Sequence, residues 1–166
     1  MKPEVAVSSM PPLDGRAVMP DTGNSPFALL DAIPYSLLAL VARAAAFTVF
    51  WRAGTSKLSD WNATLNLFEY EYRVPLLPPD LAAYLAAGLE LGGSVLILSG
   101  LLTRVSALVL TGMVAVIQLT VYPMAWPDHL QWLAFLLLLI ARGGGRWSLD
   151  ALFPFLFLRL RSRRLS

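Results

Sequence analysis

The sequence predicts an all-α membrane protein, a bundle of four transmembrane helices with antiparallel neighbours and a short interfacial helix between the first two spans. Three observations carry that reading. Hydrophobic residues make up 57% of the 166, charged residues only 14%, and the mean hydropathy is +0.61; soluble domains are roughly a quarter charged. Four apolar stretches each approach the ~20 residues that a helix needs to cross a hydrocarbon core. Prolines and short polar turns fall between those stretches, where they stop helices rather than kink them.

Residues 1–32 precede the first span. Pro3, Pro11, Pro12, Pro20 and Pro26 recur there with Gly15 and Gly23 between, and no hydrophobic period runs through them. This composition reads as a flexible cytoplasmic tail. It lacks the early apolar stretch of a secretory signal. The first span is Ile33 to Ala53, interrupted by Arg43 and Arg52. The second is Leu81 to Leu102, interrupted by Glu90, and the third is Val105 to Tyr122, with Gln118 its most polar member. The fourth, Leu130 to Ala141, reaches full length only if Trp126 to Gln131 sits in the interface. Residues 33–142 therefore form the bundle, and residues 143–166 form a basic amphipathic tail.

The loop after the first span carries its own pattern. Ser59 and Asp60 are good helix starters. Trp61, Leu65, Phe68 and Tyr72 then recur at helical spacing and make one apolar face. Two readings stand here: an ordinary connecting helix in the interface, or a lid over a cavity between the spans. In the tail, Pro154 is followed by Phe155 to Leu158 and then by Arg159, Arg161, Arg163 and Arg164. That pattern suits a cationic segment lying on anionic headgroups. An even number of spans places both termini on one side. Arg104 and the C-terminal arginines make that side cytoplasmic by the positive-inside rule, while Arg52, Lys57 and Arg73 in the first loop run against it.

The composition also narrows the chemistry. The chain has no cysteine and one histidine, His129. Thiolate nucleophiles, disulfides, cysteine-ligated clusters and bis-histidine haem within one subunit are all excluded. The net charge of +2, without a basic groove, argues against a nucleic-acid partner. No nucleophile–base arrangement and no self-sufficient metal site is legible, so no catalytic residue and no metal ligand is assigned. Arg142-Gly143-Gly144-Gly145-Arg146 is a turn flanked by cations, without the context of a phosphate loop.

Ionisable residues inside the bilayer are expensive, about 2.5–3.5 kcal/mol each at mid-membrane on insertion scales. Arg43 is central in the first span and Glu90 lies near the centre of the second. Their similar depth on antiparallel neighbours predicts an ion pair. That pair would either line a polar pocket, with Gln118 and Lys57 as further members, or clamp the helix register. Gly88 and Gly92 flank Glu90 at i, i+4 and predict a close helix contact. Trp126, His129 and Trp132 read as an interfacial aromatic belt.

Several of these residues fall in a recognisable order. Arg43, Phe50, Ala53, Gly54 and Lys57-Leu58 resemble the opening motif of the DoxX family. Glu90, Gly92 and then Gly100-Leu101 with Thr103-Arg104 resemble its centre. Gly143-Gly144-Gly145 followed by Ser148-Leu149-Asp150 resembles its close, with Gly144 where proline is usual. The stretch Leu67 to Pro75, with Val121-Tyr122-Pro123, Trp126, His129 and Trp132, is similar to the HvfX-type branch.

That resemblance implies a four-helix inner-membrane protein with no transferable catalytic residues. Some DoxX-like proteins belong to membrane oxidoreductase assemblies, including one for thiosulfate:quinone oxidoreduction. HvfX-type members accompany systems that make copper-handling modified peptides. The expected function is thus a non-catalytic inner-membrane subunit or anchor of a redox or metal-stress system. It would hold no cofactor of its own, with a quinone or lipid-like ligand near the Arg–Glu pair. The bilayer, subunits of a redox or peptide-modifying system, and further copies of the chain are its expected partners. The alternatives are a small proton-coupled transporter or exporter component using Glu90, and a purely structural anchor.

Overall fold

The computed structural model describes residues 32–152. The N-terminal tail and the arginine-rich segment after Leu152 lie outside the described residues. Four helices are long and apolar enough to cross a membrane: Tyr35–Ser59, Pro79–Ser99, Thr103–Val121 and Pro123–Arg142. We label the elements α1 (Tyr35–Ser59), α2 (Trp61–Asn66), α3 (Pro79–Ser99), α4 (Thr103–Val116) and α5 (Trp126–Arg142). Two wider, π-helical turns extend α2 and α4, over Leu67–Tyr72 and Ile117–Val121. There is no strand among the described residues.

The long helices pack as a ring in chain order, each on the next, and α1 closes on α5. Small residues and a few large ones fill the interior. Ala42, Ala46, Phe50, Ile97, Ala107, Leu110, Val114, Leu136 and Leu139 form one buried cluster. Much of the remaining apolar surface faces outward, as with Val41, Leu108 and Leu119, which suits lipid rather than water.

The first span is longer than the sequence suggests. It runs as one helix to Ser59, past Arg52 and Lys57, because nothing in that stretch breaks a helix. The following loop begins as expected: the Asp60 side chain accepts from the Ala63 amide at 2.9 Å, a helix N-cap. Its apolar face then packs where the spacing put it. Phe68 is buried with Ala82 and Ala83 of α3, and Trp61, Leu65 and Tyr72 pack around them.

The segment after α5 does not simply depart as a tail. Residues 143–152 turn back across one end of the bundle. The Tyr35 hydroxyl donates to the Gly143 carbonyl at 2.7 Å, and the Arg146 amide donates to the Ser36 hydroxyl at 3.0 Å. We call this the basic end, since Arg104, Arg142 and Arg146 cluster there.

Candidate functional site: an apolar chamber with Lys57, Glu90 and His129 on its wall

Two polar centres occupy different levels of the bundle, and the expected Arg43–Glu90 pair is absent. Arg43 is 3% exposed and lies at the basic end. Its Nε donates to the Ile97 carbonyl at 2.9 Å. One terminal nitrogen donates to the Trp147 carbonyl at 2.7 Å and to the Gly144 carbonyl at 3.4 Å. The other donates to the Leu98 carbonyl. The guanidinium thus ties the last turn of α3 to the segment after α5.

The last turn of a helix leaves carbonyls without helical partners. At the end of α3, Gly100 and Leu101 fold back in a Schellman arrangement, their amides donating to Ile97 and Leu96 at 3.0 Å each. Arg43 takes the Leu98 carbonyl that this turn leaves over, and a cation at a helix C-terminus also suits the helix dipole. Asp150 completes the clasp. Its carboxylate accepts from the Leu102 and Thr103 amides at 2.7 and 2.8 Å, so it caps the start of α4 from a distant part of the chain. The Asp150 amide donates to the Gly100 carbonyl at 2.9 Å. Gly144 fits the same corner. A β-carbon there would lie 2.6 Å from the Thr103 hydroxyl oxygen, so the usual proline would need this corner to move.

Glu90 lies three turns away along the bundle axis. It is 2% exposed, and Lys57 is its partner: the ammonium donates to both carboxylate oxygens, at 2.7 and 2.8 Å. The cause is side-chain direction. Helical side chains lean toward their own N-terminus. In antiparallel α1 and α3, Lys57 therefore leans back toward the bundle centre while Glu90 leans out to meet it. Arg43 leans the same way as Lys57, but it starts on the far side of the Glu90 level, so its lean carries it away from the carboxylate. A β-carbon at Gly54 would sit 3.2 Å from that of Glu90, so Gly54 marks the level of Glu90 on α1. Arg43 is about 16 Å further along at ~1.5 Å per residue.

The Lys57–Glu90 pair forms part of the wall of a chamber of about 490 Å³. Most of the remaining wall is apolar: Val49, Phe50 and Ala53 from α1, Phe68 and Tyr72 from the π turn after α2, and Ala82, Leu85 and Leu89 from α3. Val109, Gly112, Met113 and Val116 of α4 and Trp132 of α5 also line it. The π turn that extends the interfacial helix contributes Phe68 and Tyr72 to this wall. The chamber is also open sideways. Leu85 and Leu89 of α3, and Val109 and Val116 of α4, line it and are at the same time exposed at the bundle surface. A β-carbon at Gly112 between them would meet nothing within 4 Å.

A second polar contact reaches the same wall through His129, with Gln118 behind it. His129, 3% exposed, holds Nδ1 at 2.6 Å from Gln118 Oε1. Its ring packs edge-on against Trp132, with centroids 5.0 Å apart. The sequence places His129 and Trp132 in an interfacial belt. Instead His129, Trp132, Leu136 and Leu139 follow helical spacing along the inner face of α5. Trp126 is 58% exposed. At the chamber mouth the Tyr122 hydroxyl donates to Glu71 Oε1 at 2.8 Å and joins the two π turns.

The expected glycine contact is elsewhere too. A β-carbon at Gly88 or Gly92 would meet nothing within 4 Å. Close approach falls at Gly54, where it would sit 2.7 Å from Leu91 Cγ, and at Gly93, against Leu110 at 3.1 Å. A glycine pair signals a small face, but the apolar residues around Glu90 give no indication of which side of α3 meets a neighbour. Of the predicted pocket residues, the structure therefore unites Lys57 and Glu90, adds Gln118 through His129, and sends Arg43 to the clasp.

These features define a multi-pass α-helical membrane protein with a side-opening apolar chamber. A model of the family named DoxX matches residues 38–123, just over half of the chain, and the chain belongs to that family. It is 32% identical over 118 residues to an uncharacterised protein of Haemophilus influenzae, covering 64% of this chain and 78% of the relative. No solved structure matches it.

Proposed function

We propose that this chain is a non-catalytic inner-membrane subunit that holds an amphipathic, quinone- or lipid-like molecule in the chamber, within a redox or metal-stress system. The observation that carries this is the chamber itself. An apolar space of about 490 Å³ with a few convergent polar groups is the usual form of a small-molecule site. Its opening between α3 and α4 lies on the part of the bundle that faces acyl chains. Such a ligand would enter from the bilayer without crossing water. The polar groups on the wall would orient its head.

The likeness of Leu67 to Pro75 and of the Tyr122–Trp132 region to the HvfX-type branch favours a copper-peptide setting over a thiosulfate one. The basic end faces the cytoplasm in this reading, and both termini lie on that side of the membrane, as the arginine distribution suggests.

Proton-coupled transport is the second reading, and the buried Glu90 on the chamber wall favours it. Against it stands the apolar cluster of Phe50, Ile97, Leu110, Val114, Leu136 and Leu139, which packs between the chamber level and the Arg43 clasp. Among the described residues that cluster interrupts the polar groups along the axis. Transport in proteoliposomes abolished by Glu90→Gln would decide for this reading.

The test of the first reading is purification from native membranes in mild detergent, with mass spectrometry of retained lipid-like molecules. The wild type should retain a stoichiometric amphiphile, and Gly112→Trp, which fills the side opening, should lose it. A protein that retains nothing, or a Gly112→Trp variant that retains as much as the wild type, would reject the chamber as a ligand site.

A further inference from the structure

The two nitrogens of His129 are distinguished by a chain of contacts that begins at a backbone carbonyl. The Gln118 side-chain nitrogen donates to the Pro123 carbonyl at 2.8 Å. A carbonyl can only accept, so the amide must present its nitrogen there and its oxygen to the ring. That oxygen, Oε1, lies 2.6 Å from His129 Nδ1. It too can only accept, so Nδ1 carries the hydrogen. In the neutral ring Nε2 is then a bare lone pair. Pro123 supplies the fixed end of this relay, and the wide turn Ile117–Val121 sets Gln118 between the two partners.

Nε2 has no hydrogen-bonding partner among the described residues, and His129 lines the chamber. The Lys57–Glu90 pair and Tyr122 on the same wall are engaged. Glu90 accepts from Lys57 through both oxygens, and Tyr122 donates to Glu71 beside Tyr72. Beside the His129 ring stands Trp132, centroids 5.0 Å apart, and Phe50 meets Trp132 edge-on at 6.2 Å on the same wall. An acceptor on an apolar, aromatic wall rewards a ligand that donates to it and penalises one that covers it without donating.

We propose that the chamber selects hydroxyl-bearing aromatic amphiphiles, a phenol or a reduced quinol rather than the quinone, by donation of the ligand hydroxyl to His129 Nε2, with Gln118 as the positioning residue that sets the tautomer. This rests on the chamber being a ligand site and adds which chemical form it takes.

His129 is the sole histidine, so its imidazole nitrogens can be read without ambiguity. The experiment uses full-length protein with 15N-labelled histidine in nanodiscs at pH 8, with 4-nonylphenol and its methyl ether as probes matched in shape. Free protein should show a protonated Nδ1 and an unprotonated Nε2. The phenol should bind about tenfold more tightly than the ether, the scale of one net hydrogen bond, and should move the Nε2 resonance while the ether does not. Gln118→Leu should mix the tautomers and bring the phenol-to-ether ratio toward one, with ether affinity unchanged.

A protonated Nε2 in the free protein overturns the proposal without any variant. Equal binding of phenol and ether also overturns it, but leaves the chamber standing as a ligand site. Binding of neither probe removes both.

Discussion

Lys57 and Glu90 meet as one ammonium shared by two carboxylate oxygens, at 2.7 and 2.8 Å, on the wall of an otherwise largely apolar chamber. The carboxylate is 3% exposed and the lysine side chain 19%. The pair joins the far end of α1 to the centre of α3. It also lets a long cation near a helix end reach inward, the reverse of the usual snorkelling toward water.

That arrangement predicts a strongly non-additive double-mutant cycle. Removing one partner of a buried pair strands the other charge and typically costs about 3–5 kcal/mol, whereas replacing both with apolar residues is often close to neutral. Glu90→Leu and Lys57→Met should each lower unfolding stability in detergent by that order. The double variant should recover most of the loss. Additive losses across the cycle would show that the two side chains do not interact.

Arg43 should behave as a structural residue with no reach into the chamber. Arg43→Met leaves the Leu98 and Trp147 carbonyls without their donor, and hydrogen bonds to charged groups are worth about 1.5–3 kcal/mol each. We expect a loss on the order of 3 kcal/mol and little rescue by Arg43→Lys, since an ammonium cannot reproduce the planar fork. Ligand retention per folded molecule should not change. A selective loss of ligand with normal thermal stability would contradict the separation of the two polar centres.

Glycines give a sharper spatial test. Gly100 has φ +73°, and a β-carbon there would lie 2.5 Å from Ser148 Cβ and 2.8 Å from the Ser148 backbone. Gly100→Ala should therefore cost more than the ~1–2 kcal/mol of a left-handed L-residue alone. Gly88→Ala and Gly92→Ala face open space and should be neutral or slightly stabilising, since alanine is the better helix former by roughly 1 kcal/mol. Thermal unfolding of the three variants in one detergent is sufficient. A large loss at Gly88 or Gly92 would mean that this face of α3 is covered by something other than acyl chains.

Tyr122 predicts an alkaline limit. The neighbouring Tyr72 hydroxyl, burial and the Glu71 carboxylate, in that order, push its phenol well above the ordinary range. The folded value lies above the unfolded one, so the neutral phenol favours the folded state. That contribution is complete below about pH 10, the unperturbed value, and is lost as pH rises beyond it. The melting temperature should fall above that pH more steeply for the wild type than for Tyr122→Phe. Parallel curves would remove Tyr122 as the cause.

The spans were legible in the sequence because membrane insertion is a local property. A stretch such as Val105 to Tyr122 is apolar enough to cross wherever its neighbours lie. The Asp60 cap and the apolar face from Trp61 to Tyr72 were legible for the same reason: they depend on contacts within one or two turns. Family order also marked Arg43, Lys57, Glu90, Gly100 and Asp150 without saying which of them meet. Only the tertiary structure decided that. Similar depth suggested Arg43 for Glu90, but the continuation of α1 to Ser59, its offset against α3 and the lean of each side chain chose Lys57. The Gln118–His129 relay needed the Pro123 carbonyl, a backbone group whose position no side-chain pattern encodes. Composition fixes which segments leave water. Helix offset and side-chain direction fix which polar groups then find each other.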